Sequence, residues 1–192
     1  MNKGDSDMNA HGSDSSTRHV FDAAIALTGE DDSALRGQTH PDYGNMVGPF
    51  GGVIAATLMN AVMRHPQRLG DPVSQTVHFA APIADGGFSV QARIMRTNRT
   101  TQHWQVELLQ DGEVAAFATL VTAVRRETWS ALDAAFPEVP PAASIEPAAP
   151  IARAAWTARY EMRFVDGAPL FDSNGKITKG PLYLPPRLAP FL

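Results

Sequence analysis

Hydrophobic and polar residues alternate along four runs in the middle of the chain, between residues 75 and 124. A period of two residues predicts strands that bury one face and expose the other. Short turn sequences separate the runs, and Asp111-Gly112 is a strong signal for a tight hairpin. The pattern predicts an antiparallel meander whose strands have the sequences QTVHFAAPI, FSVQARIMRT, QHWQVELLQ and VAAFATLVTAV.

The same alternation predicts which side chains face the core. The inward set on the second and third strands is Phe88, Val90, Ala92, Ile94, Trp104, Val106 and Leu108. The fourth strand is apolar on both faces, as expected of a strand that is covered by the helix on one side and by a neighbour on the other.

A further strand is predicted near the start of the chain. Phe21, Ala23, Ile25 and Leu27 alternate with smaller or more polar neighbours, before the turn-like sequence GEDD at 29–32. We therefore expect a first strand here, followed by a loop.

The most apolar segment, about residues 50–65, predicts a helix with an unusual beginning. Pro49 and Phe50 precede two glycines, Gly51 and Gly52, although glycine costs roughly 1 kcal/mol in a helix interior. Apolar residues cover most of the helical circumference, so we expect this helix to be central and buried on most sides. Glycines at a helix start let a ligand approach unpaired amides, which with the helix dipole favour negative charge. They also permit close packing against a strand.

Polar residues form one stripe on this helix. Thr57, Asn60 and Arg64 are spaced i, i+3 and i+7, so they share a face. The stripe predicts a surface that positions water or faces a partner subunit, or alternatively a partly solvated helix face.

Composition and charge exclude several classes of function. The chain of 192 residues has a net charge of −4 and no basic tract, which argues against nucleic-acid binding. It contains no cysteine, so it has no disulfide, thiol nucleophile or thiolate metal site, and we expect a cytoplasmic location. Residues 1–18 are polar and predict a disordered leader. No apolar run reaches the roughly 18 residues of a membrane span, so no membrane association is expected.

Residues 19–124 resemble the first hot-dog repeat of the acyl-CoA thioesterase II, or TesB-like, family. The resemblance rests on the FGG sequence at the helix start and on a strand that ends in proline near a glycine turn. It also rests on the Arg-x-x-Arg-Thr-Thr hairpin at 96–101 and on the DGE hairpin before AAFATLVTA. It implies an α+β hot-dog fold, in which a long antiparallel sheet wraps around a central helix. It further implies hydrolysis of a fatty acyl-CoA to free acid and CoA without a cofactor.

The chain departs from the family after residue 124. Residues 125–157 predict a Pro/Ala-rich linker, and residues 158–192 resemble the beginning of a second repeat that is incomplete. In the family, the acid, hydroxyl and amide that position the attacking water are carried mainly by the second repeat. We therefore expect a dimer that pairs through its sheet, because a single repeat leaves an edge strand uncovered.

The candidate site residues follow from the helix start and from the family motifs. We predict Gly52, Thr57 and Thr100 as catalytic residues, with the amides near Gly52 stabilising the oxyanion of the tetrahedral intermediate. The predicted substrate-binding residues are Phe50, Gly51, Asn60, His78 and Arg99. A lone strand histidine such as His78 is more often structural, and the hairpin threonines also suit ordinary turn hydrogen bonding. Asp42 and Asn45 could present a carboxylate or an amide to the site, although both are also routine loop residues.

The sequence favours an activated water as the nucleophile. It contains no Gly-x-Ser-x-Gly motif and no His-Glu-x-x-His spacing, so neither a serine-hydrolase elbow nor a metal site is predicted. The alternative is a non-catalytic acyl-binding or assembly module with the same fold. An enoyl-CoA hydratase on this fold is disfavoured because the sequence shows no clear Asp/His pair.

Overall fold

The structure, a computed structural model, describes residues 19–29 and 34–165. The predicted leader at 1–18 and most of the turn predicted at 29–32 lie outside the described residues. Most of the predicted second repeat, from residue 166 onward, also lies outside them.

One five-stranded antiparallel sheet and one long helix form the framework of the described chain. The helices are α1 (Val20–Ala24) and α2 (Gly51–Arg64). The strands are β1 (Leu35–Gln38), β2 (Asp71–Phe79), β3 (Gly87–Thr97), β4 (Thr101–Gln110) and β5 (Glu113–Ala123). Helix α2 packs across β3, β4 and β5, which confirms the predicted α+β arrangement of a sheet around a central helix.

The first predicted strand is wrong, because residues 20–24 form the short helix α1. Nδ1 of His19 accepts a hydrogen bond from the Phe21 amide (3.1 Å) and caps the helix start. The most buried side chains of this region, Ala24 and Leu27, are three positions apart. Leu27 lies beyond the C-cap Ile25, so the run predicted as a strand forms one short helix followed by irregular chain.

Strand β1 was not predicted, because LRGQ contains a single large apolar residue. It pairs antiparallel with β3, with Leu35 opposite Val90 and Gly37 opposite Phe88. A Cβ on Gly37 would lie 2.3 Å from the Phe88 ring, so only glycine fits here without moving that ring.

The strand order is β1-β3-β4-β5-β2. Strands β3, β4 and β5 form the predicted meander, but β2 pairs with β5 at the sheet edge rather than with β3. The chain between β2 and β3 crosses the end of the sheet, where the amides of Ala80 and Ala81 donate to the carbonyl of Ala115 and Ile83 is buried. Alternation of apolar and polar residues predicts which face of a strand is buried, but not which strands pair with each other. The predicted pairing of β2 with β3 is therefore wrong.

The predicted core faces of β3 and β4 are confirmed. Phe88, Val90, Trp104, Val106 and Leu108 are buried, while Ala92 and Ile94 are half-buried against the same core. In β5 only one face is fully buried, with Thr119 on the other face exposed. The hairpin at Asp111-Gly112 is confirmed, since both residues have positive φ angles (52° and 85°), as a type I′ turn requires.

Among the residues described, no helix is long and apolar enough to cross a membrane. Three short 3-10 helices complete the described structure: Pro41–Tyr43, Ala142–Ser144 and Ala155–Arg159.

Candidate active site

The start of helix α2 presents backbone amides that have no partner among the described residues. Phe50 is the N-cap residue, and its carbonyl accepts from the amides of Val53 (3.1 Å) and Ile54 (3.3 Å). Within the described part of the chain, the amides of Gly51 and Gly52 donate to no acceptor, and no side chain caps this end. Unpaired amides at a helix N-terminus attract negative charge on oxygen.

Both glycines also allow aromatic rings to approach the helix start. A Cβ on Gly52 would lie 2.3 Å from the ring of Phe50, and a Cβ on Gly51 would lie 3.1 Å from the ring of Phe79. The packing role considered from the sequence is therefore present. This packing leaves the amides free, because the rings fill the positions that side chains of residues 51 and 52 would take and do not contact the N–H groups as acceptors.

A segment from far along the chain folds back onto the helix start. We call residues 154–160 the aromatic strap. Trp156 stacks on Phe50 with ring centroids 4.2 Å apart and an angle of 11° between the planes. Tyr160 contacts both of these rings edge-on. The strap contains the 3-10 helix Ala155–Arg159 and crosses the boundary predicted between linker and second repeat at 157/158.

The strap is tied to the loop that precedes α2. The indole N–H of Trp156 donates to Oδ1 of Asn45 (3.3 Å), and its backbone amide donates to the carbonyl of Gly44 (3.3 Å). Arg159 forms an ion pair with Asp42 (2.9 Å). Asn45 and Asp42, considered as site residues from the sequence, therefore already have partners within this chain.

Tyr43 lies in the same loop and is almost fully buried. Burial raises the pKa of its phenol above the usual value, and the neighbouring Tyr160 adds to the shift. The phenol therefore keeps its proton at neutral pH. It packs edge-on against Phe21, His40 and Tyr160.

The polar stripe of α2 is directed toward other protein groups. Thr57 is 1% exposed, and its hydroxyl donates to the Val53 carbonyl one turn earlier (2.8 Å). The Asn60 amide donates to the carbonyl of Ile25 (2.8 Å), and Arg64 donates to that of Leu27. Asn60 and Arg64 thus hold the chain that follows α1 against α2.

His78 lies on the sheet face opposite α2. It is exposed and stacks on Phe117 of the neighbouring strand, with centroids 4.6 Å apart. The adjacent residue Phe79 points to the other face, where its ring approaches Gly51. His78 is therefore at the end of β2 that lies near the helix start, but its side chain is on the other face of the sheet.

Thr100 and Arg99 lie at the opposite end of the sheet from the helix start. They belong to the β3–β4 hairpin, where the Thr100 carbonyl accepts from the amide of Val124 (3.0 Å). Thr101 pairs with Ala123, which pairs with Asp71 at the beginning of β2, whereas Gly51 lies at the far end of that strand, beside Phe79. A nine-residue strand spans about 26 Å. Within one chain the structure does not bring Thr100 and Arg99 to Gly52.

Sequence reasoning missed Trp156 and Arg159 as neighbours of the site. Their signal was an aromatic residue and a cation close to the end of a Pro/Ala-rich stretch, ARAAWTARY. Among the described residues there is no group of three or more His, Cys, Asp and Glu side chains that could hold a metal ion.

Residues 39–124 match the family model described as the acyl-CoA thioesterase N-terminal domain. The match covers the loop before α2, the helix itself and strands β2 to β5. These residues are therefore similar to the N-terminal domain of acyl-CoA thioesterases. The resemblance inferred from the FGG helix start and the hairpin motifs is thereby confirmed.

Solved structures that resemble this chain confirm the hot-dog fold. A protein of unknown function with a hot-dog fold from Alicyclobacillus acidocaldarius is 45% identical, with a TM-score of 0.75, covering 81% of this chain and 58% of that one. The acyl-CoA thioesterase II TesB2 from Mycobacterium marinum is 18% identical, with a TM-score of 0.62, covering 78% and 55%. At that identity the likeness shows the fold alone. The chain thus spans little more than half the length of these proteins. No curated protein matches it.

Proposed function

We propose that this chain hydrolyses an acyl-CoA thioester to the free acid and CoA at the start of helix α2. The observation that carries the proposal is the pair of unpaired amides at Gly51 and Gly52, within residues similar to the N-terminal domain of acyl-CoA thioesterases. No cofactor is needed for this reaction, and we assign it to the cytoplasm, in keeping with a sequence that contains no cysteine.

The amides would act on the charge that develops during attack by water. The water oxygen forms a bond to the thioester carbon while the carbonyl electron pair moves to oxygen. The tetrahedral intermediate then collapses, the C–S bond breaks, CoA leaves as the thiolate, and the proton lost by the attacking water passes to that thiolate through solvent. A preorganised N–H donor that meets the oxyanion typically contributes about 3 kcal/mol to transition-state stabilisation.

The described loop beside the amides offers few free groups to activate water. Asp42 is paired with Arg159, and Asn45 with the indole of Trp156. The hydroxyl of Thr57, predicted as catalytic, donates a hydrogen bond to the Val53 carbonyl, which leaves only its oxygen lone pairs free to accept from a water. Its role in the reaction, and that of Asn60 and His78 in binding, stays a prediction.

We propose that Thr100 and Arg99 reach the site from a second copy of the chain. Strand β2 is at an edge of the sheet and pairs only with β5 among the described strands. Two β2 strands paired antiparallel about a two-fold axis would place the Phe79 end of one copy beside the Asp71 end of the other. The helix start of one copy would then lie near the β3–β4 hairpin of its partner, and Arg99 could contact CoA phosphates.

Mixing two inactive variants tests this shared site. We expect Gly52→Val and Arg99→Ala each to lose most acyl-CoA hydrolysis as homodimers, measured by release of the CoA thiol. In an equimolar exchange mixture, half of the dimers are hybrid and each hybrid holds one intact site, so about a quarter of wild-type activity should return. The matched control mixes Gly52→Val with the double variant Gly52→Val/Arg99→Ala, so that every site carries the Gly52 substitution, and it should restore none. Absence of recovery in the first mixture would overturn the proposal that two copies share the site.

A non-catalytic acyl-binding module is the second candidate. The engagement of Asp42, Asn45 and Thr57 within the chain favours it, because binding needs the amides and an apolar surface but no base. A wild-type protein that binds acyl-CoA but releases no thiol from short, medium or long acyl-CoAs would establish this candidate instead.

A further inference from the structure

We propose that the aromatic strap, residues 154–160, determines which acyl groups fit beside the Gly51 and Gly52 amides, by holding the ring of Phe50 in one position. This inference rests on the proposed function, because it assigns a specificity role within that site.

The Phe50 ring is confined by two contacts. Its edge occupies the space that a Cβ on Gly52 would take, at 2.3 Å. Trp156 lies flat against one of its faces, with centroids 4.2 Å apart. The ring of the N-cap residue is thereby fixed as a wall beside the unpaired amides.

The strap is a folded part of the molecule, because two buried residues and their hydrogen bonds anchor it. Ala154 and Thr157 are 4% and 1% exposed. The Thr157 hydroxyl donates to the carbonyl of Ala154 (2.7 Å) and accepts from the amide of Ile151 (2.8 Å). Together with the Arg159–Asp42 ion pair, these contacts hold Trp156 in register with Phe50.

A fixed ring next to the amides limits the width of the acyl group near its carbonyl carbon. A straight chain can leave the carbonyl past the edge of the ring, whereas a branch at the next carbon would contact the ring. Removal of the Trp156 indole frees Phe50 to adopt other rotamers. The site should then accept branched acyl groups more readily, with a smaller effect on straight ones.

The test compares a straight and a branched four-carbon group in wild type and five variants: Trp156→Ala, Trp156→Phe, Trp129→Ala, Phe50→Leu and the double variant Phe50→Leu/Trp156→Ala. Trp129 is the matched control, because it is 85% exposed and lies outside the strap. Binding of the thioether analogues S-butyl-CoA and S-isobutyl-CoA is measured by calorimetry. Hydrolysis of butyryl-CoA and isobutyryl-CoA is measured by thiol release, and thermal melts establish that each variant is folded.

We expect wild type and Trp129→Ala to prefer the straight group by the same ratio. Trp156→Ala should lower that ratio at least tenfold in both binding and kcat/KM, while Trp156→Phe, which keeps a stacked ring, should stay within about threefold of wild type. Phe50→Leu should lower the ratio as Trp156→Ala does, and the double variant should lower it no further, since both act through one ring.

Two other results would overturn the inference in distinguishable ways. If folded Trp156→Ala keeps the wild-type ratio while wild type hydrolyses butyryl-CoA, the strap does not set specificity and the proposed function stands. If wild type neither binds the thioethers nor hydrolyses the thioesters, the proposed function fails, and the specificity role of the strap fails with it.

Discussion

Trp156 lies flat on Phe50, 106 positions earlier in the chain, with an angle of 11° between the two rings. The contact joins the end of a Pro/Ala-rich stretch to the N-cap of the central helix. The stretch therefore does more than separate two units, because its end forms one side of the candidate active site. Because Gly52 has no side chain, the edge of the Phe50 ring occupies the position that a Cβ there would take.

Gly52→Ala should destabilise the protein although alanine favours helices. The new Cβ would lie 2.3 Å from the Phe50 ring, so the ring must leave its stack on Trp156. We expect a loss of about 1 kcal/mol in the free energy of unfolding, the order of an aromatic pair, measured by urea denaturation. Gly51→Ala, whose Cβ needs only a small shift of the Phe79 ring, should be neutral or slightly stabilising. Equal stability of the two variants would show that Phe50 is not held by this stack.

Thr76→Glu should weaken self-association through β2. Thr76 is exposed near the middle of this edge strand, so two copies related by a two-fold axis would bring two glutamates together. We expect the dimer dissociation constant to rise about tenfold through like-charge repulsion, measured by light scattering across a dilution series. Thr119→Glu is the matched control, because Thr119 is the exposed partner of Thr76 on the interior strand β5. A wild-type protein that is monomeric at micromolar concentration would contradict the proposed pairing.

Gln102→Leu should destabilise the connection between α2 and β2. The buried Gln102 amide accepts from the Leu69 amide (2.8 Å) and donates to the Gln67 carbonyl (3.1 Å) and the Thr97 hydroxyl (2.9 Å). Leucine would leave these groups unpaired, so we expect a loss of about 3 kcal/mol in the free energy of unfolding. In the control Gln105→Leu, a half-exposed position of the same strand, the loss should stay below about 1 kcal/mol. Similar losses at both positions would mean that the network contributes little.

The sequence was sufficient to predict elements with a long and consistent period. The alternation of Trp104, Val106 and Leu108 identified β4 and its buried face, and Asp111-Gly112 identified the hairpin that follows. It failed at α1, where apolar residues fit both periods, and at β1, where a short strand contains too few apolar residues to show any period.

Long-range relationships at the site could not be predicted in this way. The local sequence pattern does not indicate that Trp156 contacts Phe50. The contact depends on the path of the connecting loop, and that loop has no helical or strand periodicity from which its path could be predicted. The same reason explains why Thr100 and Gly52, grouped by motif, lie at opposite ends of the sheet. Motifs predict which residues matter together in a family, whereas topology determines whether one chain or two must supply them.

Steady-state hydrolysis of short, medium and long acyl-CoAs by wild type, Gly52→Val and Gly87→Ala tests the central claim most directly. A Cβ on Gly87 has ordinary clearance, 3.9 Å from the nearest atom, so this variant controls for a glycine substitution elsewhere. If the amides at the start of α2 stabilise the oxyanion, wild type and Gly87→Ala should release CoA at similar rates. Gly52→Val should then lose at least about tenfold in kcat, beyond any loss of folded protein in thermal melts. Release of CoA by Gly52→Val at the wild-type rate, or by no protein with any substrate, would contradict the account.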